Sequence, residues 1–152
     1  MDEPVKTGGR RRQARELAVQ FLYQYDVSGG GDLRAAFSEF WPTQPDTQTG
    51  ARGFAEELIN GTIANQAAVD ERIKKYTEHW ELSRIAAVDR SILRLAIYEM
   101  LFRDDIPPVV SINEAVDIAK KYSTRESGAF VNGILDRLRG DLPRPARTSA
   151  GS

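Results

Sequence analysis

Four arginines crowd into six positions near the start of the chain, at Arg10, Arg11, Arg12 and Arg15. A guanidinium group is a planar fork that grips phosphate and stacks on rings. If a helix begins at Arg10, the spacings of three and four from Arg12 and Arg11 to Arg15 set these groups along one edge of its first turns. Val19 and Tyr23 continue that edge, which brings an aromatic ring of the kind that stacks on unpaired bases into line with the charges. Positive charge at a helix N-terminus opposes the macrodipole, so this segment is expected to fray without a ligand. Taken alone, the run is as readily a solvated basic end as a nucleic-acid contact, and it does not separate RNA from DNA or anionic lipid.

Other reactive residue types are scarce. Cysteine is absent and His79 is the only histidine, beside Trp80. A cysteine–histidine or multi-histidine metal site cannot be assembled from that inventory. A Ser–His–Asp arrangement would have to use His79, and no nucleophile elbow accompanies it. Neither a dinucleotide fingerprint nor a phosphate-binding GxxxxGK[ST] loop is present, and Gly29-Gly30-Gly31 reads as a helix stop. Glu56-Glu57 and Asp104-Asp105 are adjacent in sequence, share no helix face, and read as solvated surface. The expectation is a binding protein with no catalytic residues, no metal and no cofactor.

The elements that position the arginines follow from apolar spacing. With 152 residues, 41% of them hydrophobic, the chain can bury one core. Its net charge of −1 makes the basic cluster a local footprint on a near-neutral surface. Ala14, Leu17, Ala18, Phe21, Leu22 and Tyr25 mark the first helix, to about Val27, and Leu33 to Phe40 a short second one. Phe54 to Ile63 and Val69 to Tyr76 predict further helices, continuous or broken near Asn65. Ser83 is the expected N-cap of a central helix from Arg84 to about Arg103, apolar over more than half its circumference. Ser111-Ile112-Asn113-Glu114 and Ser123-Thr124-Arg125-Glu126 both have the capping-box form, opening two last helices with Tyr122 and Phe130 on their inward stripes. Gly133 is expected to permit close helix approach. No stretch alternates as a strand should, so the fold class is all-α, a compact bundle of about seven helices. Residues 1–9 read as a flexible lead-in, 10–140 as the helical domain and 141–152 as a disordered tail. No run nears the roughly 18 apolar residues of a membrane span, and no secretory h-region opens the chain.

The segment RRRQARELAVQFLYQYDV resembles the opening helix of the NusB family of transcription antitermination factors. WELSRIAAVDRSILRLAIYEML is similar to that family's central helix, and VVSINEAVDIAKKYSTRESGAFVNGILDRL to its last two. The resemblance covers roughly residues 10–140 and is weak between Gly29 and Thr49. It implies a NusB-like bundle of two three-helix-type subbundles. It further implies a cytoplasmic bacterial protein that binds the single-stranded boxA element of ribosomal RNA leader transcripts. The implied protein partners are NusE, also a small-subunit ribosomal protein, and RNA polymerase with other Nus factors. No membrane is involved, and a homodimer in the free state is left open. By matching position, Arg10, Arg11, Arg12 and Arg15 would form the basic RNA-binding segment. Tyr76, Tyr122 and Phe130 match aromatic positions along the RNA path, and Glu126 an acidic position beside it. Asp89, Tyr98 and Glu99 match the region facing NusE. Ala129 stands where the family sometimes has a basic residue, and the tail with Arg139, Arg144 and Arg147 has no matching motif. Two other readings are open. A similar domain precedes the catalytic part of some ribosomal RNA cytosine methyltransferases, for which this chain has no room after the bundle. A helix-turn-helix DNA binder would need a basic recognition helix, whereas the last helix carries Glu126 and Asp136.

Overall fold

In the computed structural model the described residues are 9–44, 46–77 and 81–143. His79, Trp80, the lead-in to residue 8 and the tail from Arg144 lie outside them. Seven α-helices make up the described chain: α1 Arg10–Val27, α2 Leu33–Phe40, α3 Ala51–Ala64, α4 Gln66–Tyr76, α5 Ala87–Phe102, α6 Pro108–Tyr122 and α7 Arg125–Asp141. Short 3₁₀ turns occupy Trp41–Thr43 and Leu82–Arg84. The all-α bundle expected from the apolar spacing is therefore present, and α5 is its axis. Ten consecutive residues, Ser91 to Met100, are buried, because α1, α3, α4, α6 and α7 all pack on that one helix.

Helix ends show where local signals were followed and where packing overrode them. After α1, Gly29, Gly30 and Gly31 all have positive φ (91°, 84° and 106°), a region costly for residues with a Cβ. Gly30 N–H donates to Tyr25 C=O at 2.8 Å and closes the helix. Asn65 separates α3 from α4, its Nδ2 donating to Gly61 C=O at 2.8 Å. The central helix does not start at Ser83. Ile85 is extended and buried between the 3₁₀ turn and α5, and Arg90 Nη1 donates to the Leu82 and Ile85 carbonyls. Neither capping box forms as expected. Helix α6 starts earlier, at Pro108, whose missing N–H costs nothing in a first turn. That start places Ser111 inside the helix, and it places Glu114 where it meets α1. In α7 the cap is Thr124, whose hydroxyl accepts from Ser127 N–H at 2.9 Å.

Close approach is also placed differently. A Cβ on Gly133 would meet nothing within 4 Å, whereas one on Gly61 would run into the Tyr98 ring. The tight α3–α5 contact therefore belongs to Gly61. At the other end of α1, Asp26 receives Arg90 at 2.6 Å and Arg94 at 3.4 Å, and Arg94 also pairs with Asp70 of α4 at 2.8 Å. Burial alone would raise the Asp26 carboxyl, but hydrogen bonding and charge from Arg90 and then Arg94 outweigh it and hold it below its ordinary value. This network and an aromatic cluster of Phe21 with Phe37 and Phe40 of α2 fix α1 along the bundle, which sets the position of its arginines.

Candidate nucleic-acid interface

The four arginines of α1 have four different surroundings. Arg10 is exposed beside Gly50. Arg11 is exposed too, its guanidinium lying 4.2 Å above the ring of Phe54 in the first turn of α3. Arg12 reaches across to α6: Nε and Nη2 donate to the two carboxylate oxygens of Glu114 at 2.5 and 3.0 Å, and Nη2 donates to Asp117 at 2.9 Å. That carboxylate grip, led by the Glu114 hydrogen bond, pushes the Arg12 guanidinium above its ordinary range. Arg15 is only 3% exposed and makes a bidentate pair with Glu99 of α5 at 2.9 and 3.0 Å. Ser111 of α6 donates to the same Glu99 carboxylate at 2.7 Å. No acidic residue stands in the first turn of α1 itself. Carboxylates from α5 and α6 offset the charge of Arg12 and Arg15, and α1 is helical from Arg10 onward.

One turn further along α1, Glu16 accepts from Tyr122 Oη at 2.8 Å and from Lys121 Nζ at 3.2 Å. Tyr122 is 52% exposed, at the C-terminal end of α6 and turned outward, in contrast to the inward position its spacing predicts. Glu126 follows on the first, exposed turn of α7, where its charge favours the helix N-terminus. Phe130, one turn beyond, is half-buried and packed on the core, and its neighbour Val131 is fully buried. The structure thus brings Tyr122 against α1 one turn from Arg12, with Glu126 four residues further on in the first turn of α7. Tyr76 lies elsewhere. Its buried hydroxyl bonds Asp141 at the far end of α7, about 22 Å along the helix axis from Glu126 at 1.5 Å per residue. Lys75 and Arg137 flank its ring at 5.6 and 5.0 Å.

The three residues expected on the partner-facing side of α5 are all buried and point in three directions. Asp89, 7% exposed, accepts from Ser127 Oγ of α7 at 2.9 Å. Tyr98, 8% exposed, packs on Gly61 of α3 and stacks with Phe102 at 5.9 Å. Glu99, 1% exposed, holds Arg15 and Ser111. They brace four other helices, α1, α3, α6 and α7, and do not share one surface.

The profile of the NusB family matches residues 12–139. The chain belongs to the NusB family. Similar proteins include a transcription antitermination protein NusB of Methylacidiphilum infernorum, 48% identical over 136 residues, spanning 90% of this chain and 94% of that one. A NusB of Desulfitobacterium hafniense is 49% identical over 129 residues, with 84% and 86% covered. Among solved structures, T. maritima NusB superposes with a TM-score of 0.79 at 37% identity over 97% of this chain and 99% of that one. Another, of the antitermination factors NusB and NusE in complex with double-stranded RNA, has a TM-score of 0.78 at 28% identity, covering 88% and 98%.

Within this NusB fold, the residues that sequence reasoning missed are the ones α1 contacts across the bundle. Phe54, whose ring carries Arg11 and also has Arg15 and Arg103 within 5.7 Å, sits in α3, and nothing local marks it except its place on an apolar stripe. Tyr23, expected beside the charges, is exposed on another part of α1. Glu114 was legible as an acid in a capping box but not as the partner of Arg12, since 102 positions separate them. Among the described residues no group of three or more histidine, aspartate or glutamate side chains is placed to hold a metal ion, and no helix is long and apolar enough to cross a membrane.

Proposed function

We propose that this chain is a cytoplasmic transcription antitermination factor that binds the single-stranded boxA element of ribosomal RNA leader transcripts. On this reading it acts together with NusE, within an RNA polymerase complex that contains other Nus factors. Family membership supports this, as does the likeness to the solved NusB–NusE–RNA assembly. The observation that carries it is the exposed start of α1: Arg10 and Arg11 have no carboxylate within ion-pair distance among the described residues, and Arg11 lies over the Phe54 ring. The carboxylate that acts on Arg11 electrostatically, Asp105, is already gripped by Arg103 at 2.9 Å. Two exposed guanidinium groups with no carboxylate partner among the described residues supply salt-sensitive phosphate contacts. The exposed Tyr122 ring, with the accessible part of Phe130, offers stacking for splayed bases, and Glu126 beside them repels phosphate and moderates affinity. Arg15 and Glu99 support this surface from beneath instead of touching RNA. Asp89 and Tyr98 likewise act on NusE only by holding the helices that would flank it, and Tyr76 marks the far end of any RNA path.

The experiment is a fluorescence-anisotropy titration with a boxA-like single-stranded RNA and a scrambled control, with and without NusE. The expected result is preference for the boxA-like strand, strengthened by NusE at least about fivefold, the lower end of typical coupling between sites. Equal binding of both strands with no effect of NusE would reduce the arginines to a generic basic patch.

A further inference from the structure

The surface where α1, α5 and α6 meet holds five charged side chains in mutual contact: Arg12 and Arg15 against Glu99, Glu114 and Asp117. Two cations face three anions, so the cluster as a whole is negative. For a distant polyanion the three carboxylates outweigh the two guanidinium charges, although Arg12 sits beside the exposed Arg10 and Arg11. The Nε and Nη2 edge of Arg12 is taken, and a phosphate using that edge would have to displace a carboxylate already in bidentate contact, the strongest geometry available to a guanidinium. The contact with Asp117 alone would be weak, because that carboxylate is 53% exposed. The Glu114 contact is different: both side chains are only 22% exposed, and Glu114 also lies 4.0 Å from the buried Arg15, so it is fixed in place before any ligand arrives.

We propose that Glu114 and Asp117 act through Arg12 to set the charge-driven affinity of the site, holding that guanidinium away from phosphate so that only Arg10 and Arg11 contribute. This rests on the RNA-binding reading above and deepens it. With the non-selective electrostatic contribution held low, a larger share of binding depends on the bases that reach Tyr122 and Phe130, and arbitrary single strands are captured less. The two α6 carboxylates occupy the place of a phosphate in the free protein.

The test is binding of a scrambled single-stranded RNA across a salt series by the full chain carrying Glu114→Gln with Asp117→Asn, by Asp117→Asn alone, and by each of these combined with Arg12→Ala. Freeing one arginine should steepen the log–log salt dependence by about 0.7 and raise affinity about fivefold near ~0.1 M salt, the contribution of one single-strand phosphate contact. Asp117→Asn alone, the change least able to disturb the fold, should give a smaller gain of the same sign. Both gains should vanish in the Arg12→Ala background. Unchanged slope and affinity in the carboxylate variants would overturn the proposal. A gain that persists without Arg12 would overturn it too, since it would be a general loss of negative charge. An Arg10→Ala/Arg11→Ala variant run alongside separates the two levels. If it flattens the slope while the carboxylate variants do nothing, only the role of Glu114 and Asp117 is wrong. If it changes nothing either, the RNA-binding reading has failed with it.

Discussion

Arg15 and Arg12 are three positions apart in one basic run, yet their chemistry differs because of what lies across from them. Arg15 and Glu99 have side-chain exposures of 4% and 1%, and Ser111 satisfies a further lone pair of the carboxylate. Desolvating both charges costs nearly what their attraction returns, so the pair adds little net stability, whereas removing one partner leaves a buried charge alone. Arg15→Ala should therefore lower unfolding free energy by about 3–5 kcal/mol in denaturant titration. Arg15→Met combined with Glu99→Leu should recover most of that loss, and an Arg15→Ala chain as stable as the parent would contradict the assignment. The sequence shows four equivalent arginines. Which of them is a core residue depends on Glu99, 84 positions away, and no local pattern encodes such a pairing. Tyr122 shows the same limit from the other side. Its helical spacing places it inward, but the last turn of α6 runs past the edge of the core, and the ring emerges to meet Glu16.

At the scale of elements, apolar periodicity located every helix, because burial against a common axis is what produces the period. Helix ends were less legible. Capping signals were abundant, and packing chose among them: Ser111 and Glu114 have the right types for a box but are used by Glu99 and Arg12. Glycines were the least legible, since their role depends on what faces them. Gly61→Ala should drive α3 away from Tyr98 and destabilise the bundle by about 1–3 kcal/mol, the usual cost of overpacking. Gly133→Ala, on an exposed and open helix face, should be neutral or stabilise by up to about 1 kcal/mol through helix propensity. Thermal unfolding of the two variants in parallel reads this directly, and equal losses would place a close contact at Gly133 after all.

For the whole molecule, one axial helix fixes the relations among α1, α3, α4, α6 and α7, and the candidate surface is assembled from distant parts of the chain. Helix α1 supplies exposed arginines, α3 supplies the ring beneath Arg11, and the α6–α7 turn supplies Tyr122 and Glu126. The resemblance to the NusB family implied these positions but could not rank them. Burial ranks them: Arg10, Arg11, Tyr122 and Glu126 are accessible, Phe130 is partly so, and Arg15, Asp89, Tyr98 and Glu99 serve the frame. The measurement that tests this most directly is amide chemical-shift mapping of nitrogen-15-labelled protein on addition of the boxA-like RNA. Perturbations should concentrate at residues 10–16 and at the α6–α7 turn from Tyr122 to Phe130, with α2 and the exposed face of α4 unaffected. Perturbations centred on α2 or α4, with the start of α1 silent, would contradict that ranking.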